Sequence, residues 1–281
     1  MSSQECRLHK SIVHTFPSSG DADQNPYVFD VCSNSDNLLA VSACGPGHVI
    51  KVYDKMSLTC VNQLPGHSAK VNDLHFFPAD PNGLYSASSD GTLRLWDLRA
   101  PMTNLHTFST GGREVWAASV SIDSNFVAGG VLASLRTWDL RTRKAYRAYS
   151  DVHTDDVTCV RSHPFLASVF VTGSEDGLMC AVNNASVHQD DALEAVINVN
   201  VAISRIGFLG AQAQQVYAVT NVHGIQIWDF GAFSSTDFSN SSCRGCDLQA
   251  GGAAQAQTLL VNVEDLRPAC STAASLQALQ D

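Results

Sequence analysis

Apolar and polar residues alternate in short bursts along this chain, and turn residues separate the bursts. The clearest stretch runs from Gly66 to Arg99, GHSAKVNDLHFFPADPNGLYSASSDGTLRLWDLR. It holds three alternating runs, Val71–Phe76, Leu84–Ser88 and Thr92–Trp96. Pro78-Ala79-Asp80-Pro81-Asn82-Gly83 divides the first from the second, and Asp90-Gly91 divides the second from the third. A period of two turns one face of each run toward a core, so the pattern predicts half-buried antiparallel strands. Asp-Gly leading directly into Thr-Leu-Arg-Leu-Trp predicts a tight hairpin turn.

The same rhythm recurs on both sides. Tyr27–Cys32, Leu38–Ala43 and His48–Tyr53 predict three strands ending in Tyr53-Asp54, and Cys60–Leu64 an outer strand. Further on lie Val115–Ile122, Phe126–Gly130 and Leu135–Trp138, then HTDDVTCVRSHP leading into VTGSEDGLMCAVN, then Val216–Thr220 and HGIQIWDF. Tyr53, Trp96, Trp138, Val182 and Trp228 precede Asp54, Asp97, Asp139, Asn183 and Asp229, with gaps of 43, 42, 44 and 46 residues. Five ends at so even a spacing predict an internal repeat. His153 stands 29 residues before Val182, as His67 does before Trp96, and Asp176 follows His153 by 23, as Asp90 follows His67. The third repeat is degenerate, with Leu132 where a turn Asp is expected.

The flanks have a different texture. Arg7–Phe16 predicts a short strand that would close a ring by joining the last repeat. Residues 231–257 are rich in Ser, Gly, Ala and Gln and read as a flexible insert with too little apolar surface to fold alone. Thr258–Leu266 predicts one more strand, taken as the start of a sixth unit, and residues 268–281 read as a tail. The expected domain is therefore residues 1–267, interrupted by the insert.

Each unit resembles a WD40 repeat, one four-stranded blade of a β-propeller. The expected fold class is all-β, a propeller of five recognisable blades and part of a sixth. A seven-bladed ring needs roughly 290–300 residues, so at 281 the ring reads as incomplete. In WD40 proteins the matching positions form a buried chain in which Trp donates to Ser, Ser to His and His to Asp. The resemblance assigns this structural hydrogen-bond network to His67, Ser88, Asp90 and Trp96, and in the fourth repeat to His153, Ser174 and Asp176. Val182 replaces the Trp there, so that network is shorter. A fully satisfied network of this kind stiffens a blade. The ordered segments VIKVYDK, YSASSDGTLRLWDLR, HTDDVTCVRSHP, VTGSEDGLMCAVN, HGIQIWDF and TLLVNVEDLRP are similar to the group called WD repeat-containing protein 89. That resemblance implies a non-enzymatic interaction protein, and a propeller that continues past the point where this chain stops.

Composition narrows the chemistry. Apolar residues make up 44% and charged residues 16%, enough for a packed core. Apolar runs fall far short of the ~18 residues of a membrane span. The start, MSSQECRLHK, has no apolar stretch after its basic residues, which argues against secretion. Nine scattered cysteines fit reduced thiols, so the expected location is cytoplasmic and/or nuclear. A net charge of −10 disfavours direct nucleic-acid binding and leaves basic protein partners open. Cys243 and Cys246 form CRGC without the second ligand pair that zinc needs, and no HExxH occurs. Neither a G-x-S-x-G elbow nor a phosphate-binding glycine loop is present. Ala128-Gly129-Gly130 reads as close backbone packing in a strand. No catalytic residue, metal, cofactor, membrane or small-molecule substrate is expected.

One pair of motifs stands apart. Trp96-Asp97-Leu98-Arg99 and Trp138-Asp139-Leu140-Arg141 place an Arg just past the third strand of consecutive repeats, on one predicted rim. Guanidinium offers planar bidentate donors to carboxylates. These tandem copies resemble the WDxR motifs of substrate receptors for cullin-4 RING ubiquitin ligases, which implies that Asp97, Arg99, Asp139 and Arg141 bind a DDB1-type adaptor. The plainer alternative is that each Arg pairs with an Asp of its own blade. Two functions stay open: a protein-interaction scaffold serving such a ligase, or a scaffold in a ribosome-biogenesis or chromatin-associated assembly.

Overall fold

The computed structural model describes residues 27–43, 47–100, 104–188, 191–230 and 259–263. The predicted strand at Arg7–Phe16, the 231–257 insert with its CRGC, and the 268–281 tail lie outside these residues. Among the described residues every regular element is a strand, and no helix is long and apolar enough to cross a membrane. The strands form five four-stranded antiparallel sheets. This is an all-β, five-bladed propeller arrangement. The chain divides into two compact units at Gly112/Arg113.

The first unit holds two sheets. One is β1 (Val28–Ser33), β2 (Leu38–Ala43), β3 (Ile50–Asp54) and β4 (Cys60–Leu64), in that order. The other is β5 (Val71–Phe76), β6 (Gly83–Ser88), β7 (Thr92–Asp97) and β8 (Asn104–Ser109). Ala40, Ile50, Leu64, Val71, Leu74, Leu84 and Trp96 share one core across these two sheets. Completely buried side chains such as Ile50, Leu64 and Leu74 each contribute about 1.5–3 kcal/mol of transfer free energy.

The second unit holds three sheets. The third is β9 (Ala117–Val120), β10 (Phe126–Val131), β11 (Ser134–Asp139) and β12 (Lys144–Tyr149). The fourth is β13 (Val157–Ser162), β14 (Val169–Ser174), β15 (Leu178–Asn183) and β16 (Leu193–Asn198). The fifth is β17 (Ile203–Leu209), β18 (Gln215–Thr220), β19 (Ile225–Asp229) and β20 (Leu259–Val263). The strand expected to open a sixth unit is β20, which instead pairs antiparallel with β19, Ile227 opposite Val261. It completes the fifth sheet, because β19 would otherwise have a bare edge there.

Burial differs between the strands of a sheet. Second strands such as β6 and β14 are buried along their whole length, whereas the outer β12 runs exposed until Tyr149. The alternation read from the sequence does not mark the outer strands β8, β12 and β16, although it marks β4, an outer strand with the same single buried residue at its end. Irregularities repeat as well. A bulge falls at Val28/Asp30, Val71/Asp73, Val157/Cys159 and Ile203/Arg205 in four inner strands. The Asp90-Gly91 turn forms as expected, with Gly91 at φ 76 and its N–H donating to Ser88 O. Leu132, in place of a turn Asp, is held at φ 51 in the two-residue turn between Val131 and Ser134. Gly129 and Gly130 are close-packed as expected: a Cβ on Gly130 would come within 2.7 Å of Val157, and one on Gly129 within 3.2 Å of Trp138.

Candidate functional site

The buried polar chain of the second sheet is built by register. β6 and β7 pair Leu84 with Trp96 and Ser86 with Arg94. Ser86 is thus the diagonal neighbour of Trp96, the position a long aromatic side chain reaches. Trp96 Nε1 donates to Ser86 Oγ at 2.9 Å, and Ser86 Oγ lies 2.7 Å from His67 Nε2. His67 Nδ1 lies 2.8 Å from Asp90 Oδ2. Trp96, Ser86 and His67 are buried. Burial holds His67 below the ordinary imidazole range despite the Asp90 carboxylate, so it is neutral at pH 7. Neutral His67 then carries its proton on Nδ1 and donates it to Asp90, while Ser86 donates to Nε2. Burial pushes Asp90 up, but hydrogen bonds from His67 and Thr92 outweigh it and hold the carboxyl well below its usual range.

The expected order of donors is therefore present, with one correction. Ser86, not Ser88, is the serine in the chain. Ser88 points the same way but lies at the turn, where its Oγ donates to Lys70 O at 2.8 Å and accepts from Asp90 N at 3.2 Å. The fourth sheet needs the same correction. Thr172, not Ser174, sits 2.7 Å from His153 Nε2, and His153 Nδ1 lies 3.1 Å from Asp176 Oδ2. Ser174 Oγ donates to Asp155 O at 3.0 Å. With Val182 in the Trp position, no indole reaches Thr172, whose hydroxyl lies 3.3 Å from Cys180 O. Burial lowers the His153 pKa, with Asp176 opposing.

Register also explains the repeats without this chain. The position diagonal to the terminal aromatic is Val41 in the first sheet, Gly129 in the third and Ala218 in the fifth. None offers a hydroxyl. In the third sheet a different link appears: Thr137 Oγ1 and Tyr149 OH both donate to Asn184 Oδ1 at 3.0 Å, tying β11 and β12 to the end of the fourth sheet. In the fifth, Trp228 Nε1 is buried with no hydrogen-bond partner among the described residues.

Arg99 and Arg141 lie just beyond β7 and β11, with side chains 63% and 66% exposed. Arg99 grips Asp97 bidentately, Nε to Oδ1 at 2.8 Å and Nη2 to Oδ2 at 2.9 Å, and Nη2 also reaches Asp80 Oδ2 at 3.3 Å. The Arg99 side chain is the main cause of Asp97's depressed pKa. Arg141 Nη2 lies 3.6 Å from Asp139 Oδ2, while Asp139 Oδ1 caps the turn by accepting from Arg141 N and Thr142 N at 2.7 and 3.1 Å. Each Arg thus pairs with an Asp of its own blade, and such exposed pairs add little to stability.

A second cluster was not anticipated. Asp30 on β1 and Asp73 and His75 on β5 bring one donor atom each to within 4.8 Å of one another. Its sequence signal is an Asp at the third place of both inner strands.

The WD40 family profile, described as WD domain, G-beta repeat, matches residues 58–97 and 147–180. The chain is 35% identical over 223 residues to the WD repeat-containing protein 89 homolog of Dictyostelium discoideum, covering 79% of this chain and 59% of that protein. It is 32% identical over 210 residues to WD repeat-containing protein GTS1 of Arabidopsis thaliana, covering 73% and 53%. A guanine nucleotide-binding protein subunit beta of Solanum tuberosum is 28% identical over 76% of this chain and 60% of its own length. The chain thus spans less than two thirds of each. Among solved structures, a chain of the mitotic checkpoint complex superposes with a TM-score of 0.68 at 19% identity, covering 87% of this chain and 67% of that one, and it shows the fold alone. Matched repeats, four-stranded sheets and the Trp-Ser-His-Asp chain together show that this protein is built from WD40 repeats.

Proposed function

We propose that this chain is a non-enzymatic protein-interaction scaffold that serves as a substrate receptor of a cullin-4 RING ubiquitin ligase, docking a DDB1-type adaptor through Arg99 and Arg141. The supporting observation is the tandem Trp-Asp-Leu-Arg sequence, with both guanidinium groups largely in solvent, Arg99 gripped bidentately by Asp97 and Arg141 Nη2 lying 3.6 Å from Asp139 Oδ2. A guanidinium held in a fixed plane loses little freedom on meeting a second carboxylate. Binding energy on such a surface concentrates in a few anchors. The work would take place in the cytoplasm and/or nucleus.

A net charge of −10 favours a second reading, a scaffold for basic partners in a ribosome-biogenesis or chromatin-associated assembly. One experiment separates the two. The chain and its Arg99→Glu/Arg141→Glu variant are affinity-purified from cells, with circular dichroism confirming that both are folded. Adaptor captured by the parent and lost at least tenfold by the variant supports the ligase reading. Adaptor capture unchanged by charge reversal, or recovery of assembly factors with no ligase subunits, overturns it.

A further inference from the structure

We propose that Asp30, Asp73 and His75 form a binding site for a divalent transition-metal cation, with zinc as the matching ion. The three residues come from two inner strands of the first unit. Asp30 follows the bulge in β1 and Asp73 follows the corresponding bulge in β5. Bulges re-aim the side chains beside them, and here two successive repeats turn an equivalent carboxylate into one place. His75 lies two residues beyond Asp73 on the same strand, hence on the same face.

The site is held by backbone and packing. Asp30 Oδ2 accepts from Leu74 N at 2.9 Å, which fixes its carboxylate across from β5. His75 lies opposite Tyr85 in the β5–β6 ladder, their rings 5.7 Å apart. Asp30 is 8% and Asp73 9% exposed. His75 Nε2 is itself buried and lies 2.9 Å from Asp73 Oδ1, yet it is not aligned to form a hydrogen bond with it. The two atoms form an ion pair when the imidazole is protonated, and a metal cation would take the place of that proton between the same nitrogen and oxygen. Two buried carboxylates thus face each other across the β1–β5 junction. A dication between the carboxylates would reverse their repulsion.

The donor set indicates the ion. One imidazole with two carboxylates suits zinc and its neighbours, whereas calcium asks for six to eight oxygens. Three protein ligands leave a fourth tetrahedral position to water. The bound ion would tie the inner strands of the first two repeats together.

The test uses the full chain carrying Cys243→Ser/Cys246→Ser, so that CRGC cannot hold the metal. Zinc chloride is titrated calorimetrically and cobalt chloride by absorption, both at pH 7.5. The expected result is one equivalent bound, a cobalt spectrum without thiolate charge transfer, and affinity lowered at least about tenfold by Asp73→Asn. Should Asp73→Asn fail to fold, the partly exposed His75→Gln carries the comparison. No saturable binding, a thiolate band, or affinity unchanged in either folded variant would overturn the site. An Asp30–Asp73 pair that shares a proton and ignores metal would give the first of these results.

Discussion

Replacing Ser86 with Ala should destabilise the first unit far more than replacing Ser88, although the two serines are two residues apart and both fully buried. Losing the Ser86 hydroxyl strands two groups at once: the Trp96 indole N–H, on a side chain with no solvent exposure, and His67 Nε2. An orphaned buried polar group costs about 1–3 kcal/mol, so Ser86→Ala should cost about 2–6 kcal/mol. A typical domain has only about 5–15 kcal/mol in total. Ser88→Ala breaks bonds at a part-buried turn, to Lys70 O and from Asp90 N, and should cost about 1 kcal/mol. Urea unfolding followed by far-ultraviolet circular dichroism measures both, provided the slope with denaturant is unchanged. Trp96→Phe keeps most of the buried ring and removes the donor. Combined with Ser86→Ala it should give a coupling energy above about 0.5 kcal/mol. Ser88→Ala proving as costly as Ser86→Ala, or a coupling of zero, would refute the assignment of the chain.

Two further outcomes follow from the same geometry. Burial lowers the pKa of His67, His153 and His163, so the unfolded chain binds protons that the folded one refuses. Stability should be level above the unfolded imidazole value near 6.5 and fall below it, by up to about 1.4 kcal/mol per pH unit for each histidine. Asp30 and Glu194, whose pKa values burial raises, act in the opposite sense in the carboxylate range. A urea midpoint that holds steady from pH 7 to pH 5 would contradict this. In the fifth sheet, Ala218→Ser should supply the missing acceptor for Trp228 Nε1 and raise stability by about 0.5–1.5 kcal/mol. A lower midpoint in the same assay would show that the diagonal rule does not carry to that sheet.

Much of this architecture could be read from alternation and spacing, because half-buried strands write their period into the chain. Leu38–Ala43, Cys60–Leu64 and Val71–Phe76 match the observed strands residue for residue. Ser86 was within reach too. Ser86 and Ser88 share a face, so alternation alone cannot separate them, but counting back from the Asp90-Gly91 turn puts Ser86 diagonal to Trp96. Lys144–Tyr149 has one buried residue, at its end, and so writes no alternation; Cys60–Leu64 is as sparsely buried and is legible instead from its place just before the Gly66-His67 start of the next repeat. The Asp30–Asp73–His75 cluster was hidden for another reason. Equal positions in two repeats converge only once neighbouring inner strands lie side by side, and nothing local in either strand states that.

The pairing of β20 with β19 carries a kinetic consequence. The other outer strands follow their partners through short connections, whereas Leu259 must return to Trp228 from far along the chain. Closing so long a segment costs entropy before any ladder bond forms, and that places this strand late in the order of assembly. The cost grows only logarithmically, so doubling the intervening length would add about 0.6 kcal/mol. The stretch between Asp229 and Leu259 is accordingly the place where the chain can accept foreign sequence, such as a reporter or a tether, at the least expense to its sheets.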